Sequence, residues 1–321
     1  MSGALRRGIL GLVGAWGLSA LMAVEVQAAP PADDCLARLQ EVQQRMAGAE
    51  YSMTAVLGND SGMNSYRYAR RPAEGGVLSQ WKSLNGEISG YALRNQAGFD
   101  FNRDRGYVGP LSWHPTRIFD RLFDAGTTLK DYVCVLSGRT RVAGYRATLM
   151  RLAPRDDLRY HYLVAVDDAL RLPVELDVLT PQGFAVMRLH VTALHEGADE
   201  ETGDILNGGE YYPPTPRPGR QEAVWSELTV PAAFSLSDAG QLPGEGQAAM
   251  AFQTFSDGLT DFRVYRAPSG SLTVPAVQNG TLTVLRRVLG NYEFAVAGEV
   301  PLALAEQVLS RLPKPAGAAH P

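Results

Sequence analysis

The chain has 321 residues, 45% of them hydrophobic and 20% charged, and its formal net charge is −4 at pH 7. This length is sufficient for two domains with separate cores. The mildly acidic balance gives no electrostatic basis for general nucleic-acid binding, so no nucleic-acid partner is predicted.

The first 28 residues have the pattern of a cleaved secretion signal. Two arginines precede an apolar stretch over 8–24, Glu25 ends that stretch, and small residues lead to Ala28. Signal peptidases recognise this order of positive charge, apolar run and small residues. A membrane anchor is the alternative, because the stretch approaches the length of a short spanning helix. We predict a signal peptide over 1–28 and a mature protein in the periplasm.

A helix followed by a series of strands is predicted next. Apolar residues recur at helical spacing after a pair of aspartates that can cap a helix: Leu36, Leu39, Val42 and Met46. From Tyr51 onward apolar and polar residues alternate, as in strands. The clearest strands form a meander over 141–152, 158–166, 172–179 and 184–194. The helix and the less regular segment 110–131 are expected to cover one face of this sheet.

The cysteine content allows one disulfide bond. Cys35 and Cys134 are the two cysteines of the chain, and an oxidising compartment permits such a pair to bridge. A bridge would tie the N-terminal helix to a distant strand, but the sequence leaves open whether the two Cβ atoms meet. A metal site would need more ligands at suitable spacing, so neither a metal nor a cofactor is predicted.

A composition change divides the chain. Residues 196–222 are rich in acidic residues, glycines and closely spaced prolines, which cannot build a core. We predict a linker there, between an N-terminal domain over 29–195 and a small C-terminal domain over 223–312. The tail 313–321 is predicted to be disordered.

The predicted C-terminal domain contains strands and one helix. Its strands are predicted at 225–236, 249–256, 260–265, 280–289 and 291–297. Pro301 then opens a short helix whose apolar residues share one face.

The residues give little support to catalysis. His161 would be tested first, because two aspartates lie nearby, but a hydrolase also needs a nucleophile or metal-bound water and an oxyanion site. The aromatic neighbours of His161 on an alternating strand favour a structural histidine. His190 and His195 lack the i, i+4 spacing of a helical metal motif. Binding is therefore predicted, and the chain is not expected to be an enzyme.

Several short motifs occur in the order found in one protein family. In the first half they are Arg-Val-Ala-Gly at 141–144, Pro-Arg-Asp at 154–156 and Arg-Tyr at 159–160. In the second half they are Leu-Thr-Val-Pro-Ala-Ala-Phe at 228–234, Phe-Ser-Asp-Gly-Leu at 255–259, Phe-Arg-Val-Tyr at 262–265 and Gly-Glu-Val-Pro at 298–301. In these motifs the chain resembles the MucB/RseB family of periplasmic regulators. Tyr51–Val56 departs from the family's usual opening strand.

The resemblance implies an α+β fold. The large N-terminal domain would be similar to periplasmic lipoprotein carriers, with a curved antiparallel sheet wrapped around helices as a half-open barrel. A linker and a smaller C-terminal α/β domain would follow it.

The resemblance also implies a function. Such proteins are negative regulators of an envelope-stress sigma factor. They bind the periplasmic part of a single-span anti-sigma factor of the RseA/MucA type and shield it from proteolysis, and lipid or lipopolysaccharide fragments release it. A periplasmic lipid or lipoprotein carrier is the alternative, against which the second domain argues, and an envelope hydrolase is a third. The lipid, the peptide groove and the oligomeric state, including a homo-oligomer, are left open.

Three large residues are candidates for a lipid cavity. Tyr51, Met53 and Trp81 lie on the predicted opening strands, where a curved sheet lined by apolar side chains can accept acyl chains. Ordinary core packing is the alternative for each of them.

Three arginines are candidates for partner contact. Arg139, Arg141 and Arg263 are predicted to meet acidic groups of a protein or lipid. For the arginines near residue 140, a solvated sheet face is the alternative.

Overall fold

The structure is a computed structural model that describes residues 32–74, 76–94, 97–102, 106–109, 113–197, 222–242, 249–272 and 275–313. The predicted signal peptide, most of the predicted linker and nearly all of the predicted tail lie outside these residues. Within the described ranges, no helix is both long enough and apolar enough to cross a lipid bilayer.

The larger of two sheets has eleven antiparallel strands in the described part of the chain. They are β1 (Tyr51–Asn59), β2 (Gly62–Ala73), β3 (Gly76–Ser83), β4 (Ser89–Arg94), β5 (Ala97–Asn102), β6 (Gly106–Gly109), β7 (Tyr132–Val142), β8 (Tyr145–Pro154), β9 (His161–Asp167), β10 (Pro173–Leu179) and β11 (Ala185–Glu196). Their order is β6-β5-β4-β3-β2-β1-β11-β10-β9-β8-β7. Two meanders are thus joined where β1 pairs with β11, and the sheet stays open because β6 and β7 are its edges.

Two helices pack against the concave face of this sheet. They are α1 (Ala32–Gly48) and α2 (Arg117–Leu122). Helix α1 contacts both β2 and β7, which are six strand spacings apart in the sheet order. A flat sheet would separate those strands by roughly 29 Å, far more than the ~10 Å diameter of a helix. The sheet therefore curves around α1.

The core follows from the sequence pattern. The helical-period residues Leu39, Val42 and Met46 are at most 2% exposed, and they meet the inward side chains of the strands. From α2, Phe119 and Leu122 are fully buried in the same core. The predicted cover of the sheet by the first helix and the segment 110–131 is confirmed.

The smaller sheet has six strands in the described residues, in the order β12-β13-β14-β17-β16-β15. They are β12 (Ser235–Leu242), β13 (Met250–Ser256), β14 (Asp261–Pro268), β15 (Val277–Asn279), β16 (Leu282–Leu289) and β17 (Tyr292–Gly298). Helix α3 (Leu302–Ser310) follows Pro301 as predicted and buries Leu304, Ala305, Val308 and Leu309. We call the larger sheet with α1 and α2 the N-terminal unit, and the smaller sheet with α3 the C-terminal unit.

The predicted fold class is confirmed, with two local corrections. The strand predicted over 141–152 is interrupted, because Ala143 and Gly144 adopt positive φ angles of 46° and 92° and form the turn between β7 and β8. The strand predicted over 225–236 is wrong for most of its length. There the chain forms turns, with the Phe234 amide donating to the Pro231 carbonyl, and β12 begins only at Ser235.

The two cysteines meet across the core of the N-terminal unit. Cys35 of α1 and Cys134 of β7 form a disulfide with their Cα atoms 5.5 Å apart. Both residues are at most 1% exposed. The bond therefore fixes α1 to the edge strand that curves over it.

Candidate functional site

Charged side chains of α2 reach across to the C-terminal unit. Arg117 and Arg121 lie four residues apart and so share one face of the helix. Arg117 Nη1 donates to Asp261 Oδ1 at 2.8 Å and to Glu299 Oε2 at 3.2 Å, and Arg121 also donates to Asp261. The two units are therefore joined by ion pairs that are largely removed from water.

This environment shifts the pKa values of Asp261 and Glu299 in opposite directions. Burial alone would raise the pKa of Asp261, but the adjacent guanidinium groups of Arg117 and Arg121 hold that pKa well below its ordinary value. Burial dominates at Glu299 and raises its pKa to about 7, although Arg117 opposes the shift. The two acids of one contact thus titrate on opposite sides of their ordinary range.

A second contact between the units is also buried. Arg159 Nη1 donates to Asp257 Oδ2 at 2.9 Å, and both side chains are at most 1% exposed. The Tyr132 hydroxyl donates to the same oxygen at 2.9 Å. Tyr160 places its hydroxyl 3.2 Å from the carbonyl oxygen of Val300. Because buried polar groups need partners, these bonds favour one arrangement of the two units.

The motifs that carry the family resemblance meet at this contact. Arg159 and Tyr160 form the motif at 159–160, Asp257 belongs to the motif at 255–259, and Val300 belongs to the motif at 298–301. Within the second motif, Gly258 has a φ of +99°, and a Cβ there would lie 3.3 Å from the Thr128 carbonyl oxygen. The contacts between these motifs could not be predicted from sequence, because the contacting residues are about a hundred residues or more apart in the chain.

A buried polar group lies in the core of the N-terminal unit. Asp120 of α2 accepts hydrogen bonds of 2.8 Å from Tyr68, Ser79 and Trp81. Arg70 Nη1 lies 3.6 Å from Asp120 Oδ1, and both side chains are fully buried. Burial raises the pKa of Asp120 in spite of Arg70 and the three donors. The group was not predicted from sequence, because its members come from two strands and a distant helix.

The predicted lipid-cavity residues belong to this core. Tyr51, Met53 and Trp81 are all 0% exposed. The Trp81 ring centroid lies 4.4 Å from that of Tyr68 and 5.3 Å from that of Phe119. The three residues are therefore close-packed under α1 and α2, as the alternative interpretation anticipated, and they would meet a lipid only if a helix moved.

The three predicted partner-contact arginines are not brought together. Arg139 and Arg141 are exposed on the edge strand β7. Arg263 lies on β14 of the smaller sheet and is only 2% exposed. Its guanidinium stacks 3.6 Å from the Phe252 ring centroid, and its Nε donates to Thr254 Oγ1 at 3.0 Å. The prediction for Arg263 does not fit this buried position.

Three of the five histidines lie in three different environments. Burial lowers the pKa of His114 to about 4, and its Nδ1 lies 2.7 Å from Thr116 Oγ1. His161 is half-buried and lies 3.3 Å from Arg151 Nη2; burial and that positive charge lower its pKa. His190 lies beside two carboxylates on the outer face of the larger sheet.

Two family models match the chain. The model of the MucB/RseB N-terminal domain matches residues 34–208, and that of the MucB/RseB C-terminal domain matches residues 219–312. The sigma-E factor regulatory protein RseB of Haemophilus influenzae is 25% identical over 85% of this chain and 89% of its own length. The sigma factor AlgU regulatory protein MucB of Pseudomonas aeruginosa is 26% identical over 91% of this chain and 93% of its own length.

Solved structures share the fold. MucB in complex with MucA(peri) superposes with a TM-score of 0.61 at 22% identity, covering 89% of this chain and all of that one. MucB alone gives the same TM-score at 23% identity. The prediction of a sigma-factor regulator instead of an enzyme is confirmed by the two family models and the regulatory proteins RseB and MucB. The chain belongs to the MucB/RseB family.

Proposed function

We propose that this chain is a periplasmic negative regulator of an envelope-stress sigma factor. It binds the periplasmic segment of a single-span anti-sigma factor and shields that segment from proteolysis. The observation that carries the proposal is the match of both family models across both units. A solved relative in complex with MucA(peri) supports the choice of partner.

The exposed edge strand β7 is the surface we propose for an acidic stretch of the partner. Its residues Val135, Ser137, Arg139 and Arg141 are all exposed, and within the described residues β7 pairs with a strand on one side only. An extended peptide can add to such an edge through backbone hydrogen bonds. The two arginines would then select acidic side chains and speed association. Charged residues on an edge strand also prevent aggregation. The effect of substituting the arginines on peptide affinity therefore has to be measured separately from any effect on aggregation.

Release by lipid or lipopolysaccharide fragments is the second part of the proposal. Both Nη atoms of Arg70 are buried without a hydrogen-bond partner among the described residues, and the nearest carboxylate, that of Asp120, lies 3.6 Å from Nη1. A buried guanidinium with unused donors favours an anionic group over a purely apolar one. An amphiphile that entered between the sheet and α1 would therefore find both apolar side chains and a positive charge. If it favoured a different arrangement of the two units, it would weaken peptide binding, and the coupling would be reciprocal.

Calorimetric titration of the mature chain, residues 29–321, with the periplasmic segment of its anti-sigma factor tests the proposal. We expect saturable binding that lipopolysaccharide fragments weaken. The pair Arg139→Ala and Arg141→Ala should lower the affinity several-fold, whereas the exposed Arg155→Ala should not. Absence of binding by folded protein would contradict the proposal. Lipid binding without peptide binding would support the alternative, a periplasmic lipid or lipoprotein carrier.

A further inference from the structure

Two carboxylates and one imidazole converge on the outer face of the larger sheet. Glu175 and Asp177 are two residues apart on β10, so their side chains point to the same face. The register of β10 with β11 places His190 opposite Glu175. His190 Nε2 lies 3.7 Å from Glu175 Oε1 and 3.8 Å from Asp177 Oδ1. One potential ligand atom from each residue lies within 4.8 Å of the other two.

Asp177 supplies an independent reason to place a ligand there. The residue is 5% exposed, and its Oδ1 atom is buried without a hydrogen-bond partner in the described part of the chain. An unpaired buried carboxylate oxygen is unfavourable. The other oxygen, Oδ2, lies 3.6 Å from Nε of Arg188, whose side chain is 63% exposed. Arg188 therefore offsets the negative charge at Oδ2 from the solvent side. The other oxygen, Oδ1, faces His190.

We propose that Glu175, Asp177 and His190 bind a divalent transition-metal cation of the zinc type. Carboxylate oxygens and imidazole nitrogens bind zinc at about 2.0–2.2 Å. Ligand atoms around a tetrahedral ion at that distance are about 3.3–3.6 Å apart. The separations of 3.7 and 3.8 Å from His190 exceed this range only slightly, and the two carboxylates lie within 4.8 Å of each other, so side-chain rotation of the carboxylates would close the site. The imidazole favours zinc, nickel or copper over magnesium and calcium.

The proposed ion would join neighbouring strands on the face opposite the helices. With three protein ligands, at least one coordination position would face solvent, as in open zinc sites. Binding would stabilise the folded chain by mass action. The site is distinct from β7 and from the contact between the two units, so it goes beyond the proposed regulatory function. Its ligands were missed in the sequence because cross-strand pairing, not helical spacing, brings them together.

Calorimetric titration of the untagged mature chain, residues 29–321, with ZnCl₂ tests the site. We expect one equivalent of zinc to bind, with an increase in Tm that EDTA reverses, and no comparable effect of MgCl₂. Asp177→Asn and His190→Gln should each lower zinc affinity at least tenfold. His161→Gln removes another half-buried strand histidine and should leave the affinity unchanged.

Two results would overturn the proposal. One is the absence of saturable zinc binding up to millimolar concentration in folded protein. The other is unchanged zinc affinity in His190→Gln, which would assign the binding to other groups. Circular dichroism of each variant establishes that it is folded, and metal-free Tm values separate a loss of metal binding from a general loss of stability.

Discussion

Asp120 forms a buried polar group that could not be predicted from its position in the sequence. Trp81 and Tyr51 could be recognised as large residues on the opening strands, and both are buried. That a carboxylate would lie among them could not be anticipated, because a short helix far along the chain carries it. Its three donors and the guanidinium of Arg70 make a charged group acceptable inside an apolar core.

Removal of the Asp120 charge should destabilise the fold strongly. Asp120→Asn leaves the guanidinium of Arg70 buried without its counter-ion, which typically costs about 3–5 kcal/mol. Urea denaturation measures the change in unfolding free energy. The exposed Asp157→Asn serves as the control and should change it by less than about 0.5 kcal/mol. Equal effects of the two substitutions would show that the buried pair has no special role.

At the scale of elements, periodicity predicted helices α1 and α3 and most strands, but not the short α2, because apolar spacing reflects which face is buried. Leu39, Val42 and Met46 of α1 are examples. The strand after the hairpin between β7 and β8 was predicted to begin at 141, whereas β8 begins at Tyr145, since Ala-Gly is a weaker turn signal than Asn-Gly. The pairing of β1 with β11 was not predicted, because periodicity within one strand contains no information about a distant partner.

The turn between β7 and β8 should depend on Gly144. At its φ of 92° a Cβ would meet no atom within 4 Å, so Gly144→Ala adds backbone strain without a steric clash. The substitution should lower the unfolding free energy by about 1–2 kcal/mol. Gly48→Ala is the matched control, since space is also open there and no positive φ occurs; it should be neutral or slightly stabilising. Thermal unfolding compares the two variants. Equal Tm values would rule out strain at the turn.

For the whole molecule, the contact between the two units is the main feature that sequence patterns did not predict. The motifs at 159–160, 255–259 and 298–301 could be recognised, but their partners could not. The structure gives these motifs a common role, because Arg159, Asp257 and Val300 join the N-terminal unit to the C-terminal unit.

Glu299 should make the stability of this arrangement pH-dependent. Its pKa is about 7 in the folded chain and 4.5 ordinarily, so the folded state holds the proton more tightly. The contribution of Glu299 to the unfolding free energy should therefore be greatest below pH 4.5 and fall as pH rises through about 7, by about 1.4 kcal/mol per pKa unit separating the two states. Glu299→Gln should remove this loss between pH 5 and 8.

Urea denaturation at several pH values measures the effect of Glu299. The exposed Glu306→Gln on α3 is the control and should follow the wild-type pH dependence. Parallel pH profiles for Glu299→Gln and the wild-type chain would contradict the expected titration. Asp261 does not interfere, because its lowered pKa keeps it ionised throughout this window.

Protection of the partner from proteolysis is the central property of the proposed regulator. The measurement is the rate at which the protease of the first cut cleaves the periplasmic segment of the anti-sigma factor, with and without a saturating amount of this chain. We predict that the chain slows the cut at least tenfold and that lipopolysaccharide fragments restore it. An unchanged rate in the presence of a complex demonstrated by calorimetry would contradict the shielding function.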